Sequence, residues 1–106
     1  MKEIEIINHY GYKHQIRKLA EEQYELIEAL FEEDKEHITE EIADCLVLIN
    51  QFKSYYGIQD KDIQEVYDYK IARQERRIAD EWYNNIINNN SNNNTSFNNF
   101  YIFRFL

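Results

Sequence analysis

Apolar side chains return at three- and four-residue steps through most of this chain, and little in it would stop a helix: proline is absent and glycine occurs only at positions 11 and 57. Between Lys13 and Phe31 the recurring positions are Ile16, Leu19, Ala20, Leu26, Ile27, Leu30 and Phe31, which predicts a first helix and excludes strand alternation. The acidic stretch EEDKEH reads as a turn. Thr39 and its acidic neighbours suit the beginning of the next helix, where negative charge meets the positive end of the dipole. That second helix, from about Glu36 to Tyr56, carries Ile38, Ile42, Ala43, Leu46, Val47, Leu48, Ile49 and Phe52, with Gly57 as its stop. Gln59-Asp60-Lys61-Asp62 starts a third helix reaching about Tyr83, apolar through Ile63, Val66, Tyr67, Ile71, Ile78 and Trp82 and cationic through Lys70, Arg73, Arg76 and Arg77.

The expected fold is therefore all-α, an antiparallel bundle of three main helices. Within residues 42–49 Asp44 is the only charged residue, so this segment should be buried on several sides. Three helices cover such a segment poorly, and a chain of 106 residues has a small core, so the bundle is expected to be completed by oligomerisation. One domain is expected over residues 1–83. Residues 84–106, NNIINNNSNNNTSFNNFYIFRFL, form an asparagine-rich, low-complexity tail without helical or strand period. It reads as a loosely ordered, dispensable extension, the functional alternative being that Phe97, Phe100, Tyr101, Phe103 and Phe105 dock onto a subunit surface. Sequons at Asn89, Asn93 and Asn94 carry no weight without a secretion signal.

A net charge of -8 and a pI of about 4.8 argue against a grip on a nucleic-acid polymer, which needs cationic surface. A small phosphorylated ligand remains compatible, because divalent cations can stand between its charge and the protein's. The single cysteine, Cys45, lies between Asp44 and Leu46 and reads as a small buried hydrophobe in a reducing compartment. No signal-peptide h-region opens the sequence and no apolar run has the length of a membrane span, so the expected location is cytoplasmic, with no membrane partner.

Acids at a spacing of three residues recur on both central helices. Glu22 and Glu25 leave one face of the first, Glu41 and Asp44 one face of the second, and the interval between Glu25 and Glu41 is enough to finish a helix, turn and begin an antiparallel neighbour. Four carboxylates facing one another across that interface would repel strongly unless cations neutralise them, and hard oxygen ligands suit magnesium or manganese. Glu32, Glu33 and Glu36 read instead as part of a solvated face. Asp44, inside IADCLVLI, must be turned to a cavity or paired with a cation, and a salt bridge to Lys70 or Arg73 is the purely structural alternative. A di-iron site would need two Glu-x-x-His repeats. His37 follows Asp34 at the right interval, but His9 and His14 have no acid three residues earlier.

LAEEQYELIEAL followed by ITEEIADCLVLINQF resembles the MazG-type all-α nucleoside triphosphate pyrophosphohydrolases, whose signature is Glu-x-x-Glu, a variable gap, then Glu-x-x-Asp. Here it is Glu22-Gln23-Tyr24-Glu25 and Glu41-Ile42-Ala43-Asp44, each preceded by Glu21 or Glu40, with Leu26, Ala29 and Leu46 in the expected apolar places. Tyr10-Gly11 and Gln15 look like the family's lead-in, and Lys70-Ile71-Ala72-Arg73 with Arg77-Ile78 like its basic third-helix segment, so that the likeness covers about residues 10–80. The resemblance implies that Glu22, Glu25, Glu41 and Asp44 bind Mg2+, or Mn2+, and carry the hydrolysis of a ribo- or deoxyribonucleoside triphosphate to its monophosphate and pyrophosphate. It also implies that Lys70, Arg73 and Arg77 bind the polyphosphate, and that the chain forms a homodimer or homotetramer. Nucleotide-pool cleansing is one role such an activity serves. For the base, Tyr10, Tyr12, His14 and Asn50 are the candidates. The competing readings are a non-catalytic helical interaction protein that keeps the acids as a structural site, and a relative of narrower substrate range, such as a phosphoribosyl-ATP pyrophosphohydrolase.

Overall fold

The computed structural model describes residues 2–91, which form four helices and, among the described residues, no strand. Helix α1 spans Glu3–Tyr10, α2 Tyr12–Glu32, α3 Lys35–Tyr56 and α4 Asp60–Ser91. Residues divide into two units, 1–60 and 61–106.

Helix α1 is absent from the sequence-based expectation, which assigned no element to residues before about Lys13. It has eight residues, with Glu3 and Glu5 against the positive end of its dipole and Ile7 as its one buried side chain. Gly11 ends it with φ +100°, donating its N–H to the Ile7 carbonyl at 2.8 Å, and its own carbonyl then accepts from the Gln15 N–H of α2 at 3.0 Å. A residue with a Cβ is strained at that φ, so glycine lets two helices meet with no loop between them.

Helix α2 ends one residue later than expected, at Glu32, and Glu33 turns the chain in the left-handed region at φ 59°. Asp34, not Thr39, begins α3: its carboxylate accepts from the N–H groups of Glu36 and His37 at 3.1 and 3.4 Å. Thr39 lies inside the helix and donates its hydroxyl to the Lys35 carbonyl at 2.8 Å. The two-residue connection folds α2 and α3 back to back as an αα-hairpin. Cross-helix pairs nest as antiparallel packing requires: Tyr12 with Tyr56, Gln15 with Gln51, and Glu22 with Glu41 and Asp44. Gly57, at φ 66°, stops α3 as expected, and the Ile58 N–H closes onto the Lys53 carbonyl at 2.9 Å.

The seam between the two helices has a heptad rhythm. On α2 it runs Gln15, Leu19, Glu22, Leu26, Ala29, and on α3 Ile38, Glu41, Cys45, Leu48 and Phe52, with Gln51 beside it. Only Ile7, Ala29, Cys45 and Leu48 are fully buried apolar residues among those described, matched by four buried polar ones: Gln15, Glu22, Glu41 and Gln51. A seam half polar is poorly suited to stability and marks a place where chemistry has displaced packing.

Within one chain residues 42–49 are not enclosed. Ile42, Leu46, Val47 and Ile49 are exposed, because the seam takes 41, 45 and 48 from this helix and turns the residues between them outward. On α2, Ile27, Leu30 and Phe31 are exposed likewise, Phe31 to 86%. Tyr12, Phe52, Tyr55 and Tyr56 form a ring cluster where α2 begins and α3 ends.

In the second unit, α4 is a single helix of 32 residues, about 48 Å long. It continues to Ser91, past the point where an irregular tail was expected, since asparagine weakens a helix without breaking it. Asn89, of the first sequon, lies within it. Asn93, Asn94, Phe97, Phe100, Tyr101, Phe103 and Phe105 lie outside the described residues. No helix among the described residues is long and apolar enough to cross a membrane.

Candidate functional site

Helices α2 and α3 bring together Glu22, Glu41 and Asp44, one carboxylate oxygen of each lying within 4.8 Å of the others. Glu22 and Glu41 are buried at 8% and 7% exposure, whereas Asp44 is exposed, the reverse of the burial expected from its apolar neighbours. Asp44 instead lines a cleft, the first of the two placements its sequence context allowed. Glu25 is exposed and outside this tight group, yet its charge acts on Glu41.

The buried pair is only half satisfied. Lys18 Nζ stands 3.5 Å from one oxygen of Glu22, and His37 Nε2 stands 3.3 Å from one oxygen of Glu41. The other oxygens, Glu22 Oε2 and Glu41 Oε2, are buried with no hydrogen-bond partner among the described residues. Burial, then the charge of Glu25, contact with Glu22 and the charge of Asp44 push the Glu41 pKa above the usual 4.5. Orphaned carboxylate oxygens, one of them on a Glu41 that resists ionisation, fit a hard divalent cation, which would supply both the missing partners and the missing charge.

Lys18 and His37 were not singled out as site residues from the sequence. Each stands four residues before a buried acid, one helical turn on the same face, and that spacing was the available signal. Lys18 also reaches Glu21 at 3.3 Å, and the Glu21 carboxylate holds its pKa up. The His37 ring lies between Glu41 and Glu32, whose oxygen is 3.1 Å from Nδ1; the Glu32 contact raises the His37 pKa. Cys45 is buried beside the cluster. Desolvation, and then the charges of Glu22, Glu41 and Asp44, hold its thiol protonated, as suits packing rather than nucleophilic attack.

The cleft, about 580 Å³, runs from the acids toward α1 and is lined by Ile6, Tyr10, His14, Gln15, Arg17, Lys18, Glu21, Glu22, Asp44, Val47, Leu48 and Gln51. Of the candidate base readers, Tyr10 and His14 face it. Tyr12 belongs to the ring cluster, and Asn50 lines a separate polar depression with Lys53 and Asp60. Lys70, Arg73 and Arg77 stand at three- and four-residue steps on one stripe of α4, the Arg73 guanidinium 5.9 Å from the Tyr69 ring centroid.

Fold and site define a class: all-α proteins in which a helix pair gathers acidic side chains suited to holding a cation. Within it, the chain belongs to the MazG nucleotide pyrophosphohydrolase family, whose domain model matches residues 11–81, two-thirds of the sequence. No curated protein and no solved structure matches the chain.

A pH test separates the buried acid from its surroundings. In chelator, the difference in melting temperature between Glu41→Gln and the unaltered protein should be smallest below about pH 4.5, where both side chains are neutral. It should widen, in favour of the variant, as pH rises through the elevated pKa. A folded state that binds the Glu41 proton more tightly than the unfolded one loses that advantage when the proton leaves. A flat difference from pH 4 to 8 would show that Glu41 is not under strain.

Proposed function

We propose that this chain is a magnesium-dependent nucleoside triphosphate pyrophosphohydrolase. It adds water across the bond between the α and β phosphates, and the products are the nucleoside monophosphate and pyrophosphate. Manganese is the expected substitute ion. The observation that carries the reading is the pair of partnerless buried oxygens, Glu22 Oε2 and Glu41 Oε2, beside Asp44 at the edge of a cleft.

Glu22, Glu41 and Asp44 would hold the metal, with Glu25 one turn from Glu22. A bound ion neutralises phosphate oxygens and makes a nearby water more acidic. Glu25, outside the tight group but within electrostatic reach of it, is the carboxylate left to take the proton of the attacking water. Arg17 and Lys18 line the cleft beside the acids and offer donors to the phosphates. Lys70, Arg73 and Arg77 form a second cationic stripe with the same chemistry to offer.

The exposed apolar stripes of α2 and α3 are assigned to a second copy of the chain, as homodimer or homotetramer, because so few buried apolar residues hold the first unit together. Cytoplasmic nucleotide-pool cleansing is the role that fits this activity and a reduced Cys45.

Purified protein assayed for pyrophosphate release from the ribo- and deoxyribonucleoside triphosphates, with magnesium and with chelator, tests the reading. Metal-dependent release is expected and ranks the substrates. A folded protein that releases pyrophosphate from none of them would leave the acids as a structural site in an interaction protein.

A further inference from the structure

The paired helices carry a second polar layer besides the acids. Gln15 lies seven residues before Glu22 on α2, and Gln51 seven residues after Asp44 on α3, so the two glutamines sit together two turns, about 10 Å, from the carboxylates. They are the most deeply buried polar side chains described, at 4% and 2% exposure. Gln15 Nε2 donates to Gln51 Oε1 at 2.8 Å. The Gln15 oxygen must then be the acceptor toward His14 Nδ1, 2.7 Å away, so the histidine donates. With its oxygen accepting from Gln15, the polar group Gln51 has left to offer is its Nε2 donor, on a residue that lines the cleft.

Beside it, the rings of Tyr10 and His14 stack at 5.4 Å and 16°, with Tyr10 more than half exposed. Ile6 and Tyr10 come from α1, just before the residues matched by the family's domain model, while His14 and Gln51 lie within them. An aromatic platform, a buried donor and cations toward the acids form a site graded from flat and apolar to anionic-selective. A nucleotide has the same gradation, and from α phosphate to base edge it spans the two turns between the layers.

We infer that this end of the cleft is the base-recognition site, with the base stacked on the outer face of the Tyr10–His14 pair and a ring carbonyl accepting from Gln51 Nε2. The inference rests on the proposed hydrolase reading for the nucleotide's orientation. It commits to a preference: uracil, cytosine and guanine carry the carbonyl, and adenine does not. Stacking alone discriminates little between bases, since each has a π face.

Binding of UMP, CMP, GMP, AMP and ribose 5-phosphate to the full chain in magnesium, by calorimetry, tests it without turnover. The best carbonyl-bearing nucleotide should bind roughly tenfold or more tighter than ribose 5-phosphate, the gain expected of one stacked, hydrogen-bonded base, with AMP the weakest nucleotide. Gln51→Leu should erase the distinction between AMP and the others. Tyr10→Ala, at an exposed position, should weaken all four nucleotides and leave ribose 5-phosphate unchanged. Equal binding of all five probes, a lead for AMP, or unaltered affinities in both variants would overturn the assignment. Ranked binding by a protein that releases no pyrophosphate would sink the hydrolase reading and keep the base site. Pyrophosphate release whose KM neither variant changes would do the opposite.

Discussion

Glu41→Gln should lower pyrophosphate release by about 10³-fold while making the metal-free protein harder to unfold, two effects of opposite sign from one oxygen-to-nitrogen exchange. Loss of a preorganised charge that stabilises the transition state commonly costs two to three decades, and three decades is about 4 kcal/mol. The gain in stability has a separate origin. Glu41 is buried, faces Glu22, and is acted on by the charges of Glu25 and Asp44, which together lift its pKa. A neutral amide of the same shape removes that repulsion and can still meet His37 at 3.3 Å. Activity is read from steady-state release in saturating magnesium, stability from thermal melts in chelator. Adding magnesium should raise the melting point of the unaltered protein more than that of the variant, since only a ligand that binds the folded state shifts the equilibrium. Activity retained in Glu41→Gln would place the catalytic metal elsewhere.

The sequence discloses some parts of the candidate site and not others. The spacing of Glu22 and Glu25, and of Glu41 and Asp44, survives into the structure because a helix fixes which residues share a face. The stop at Gly57 survives because backbone chemistry is local, whereas the start moves from Thr39 back to Asp34. Burial is another matter. Asp44 has the more apolar neighbours in the chain, yet Glu41 is the enclosed acid, because the seam selects 41, 45 and 48 and faces 42, 46 and 49 outward. The local run of residues does not say which stripe of α3 meets α2. Helix α1 has too few residues to show a period, and it packs against the distant α3 as well as its neighbour α2. Gln15 and Gln51 stand 36 residues apart and become a pair only once the hairpin closes.

Leu46→Glu should dissociate the proposed homo-oligomer and yield a particle of 13.0 kDa by light scattering, the mass of one chain. Ile42, Leu46 and Ile49 make one exposed stripe on α3, and Ile27, Leu30 and Phe31 make another on α2, so the hairpin turns an apolar surface outward as well as a polar seam inward. Chains of this size gain much of their burial from partners. A carboxylate placed in such an interface must be desolvated without a cation to meet it, which costs several kcal/mol, a factor of roughly 10³ in the dissociation constant. Glu40→Gln, on an exposed part of the same helix, serves as the control and should leave the mass unchanged. The separated chains should also melt at a lower temperature, because Ile7, Ala29, Cys45 and Leu48 are nearly all the fully buried apolar material the first unit has of its own. If Leu46→Glu keeps the mass of the unaltered protein and that mass exceeds one chain, the copies meet through another surface. If the unaltered protein is already monomeric and fully active, the apolar stripes have no partner copy to cover them and the site works within a single chain.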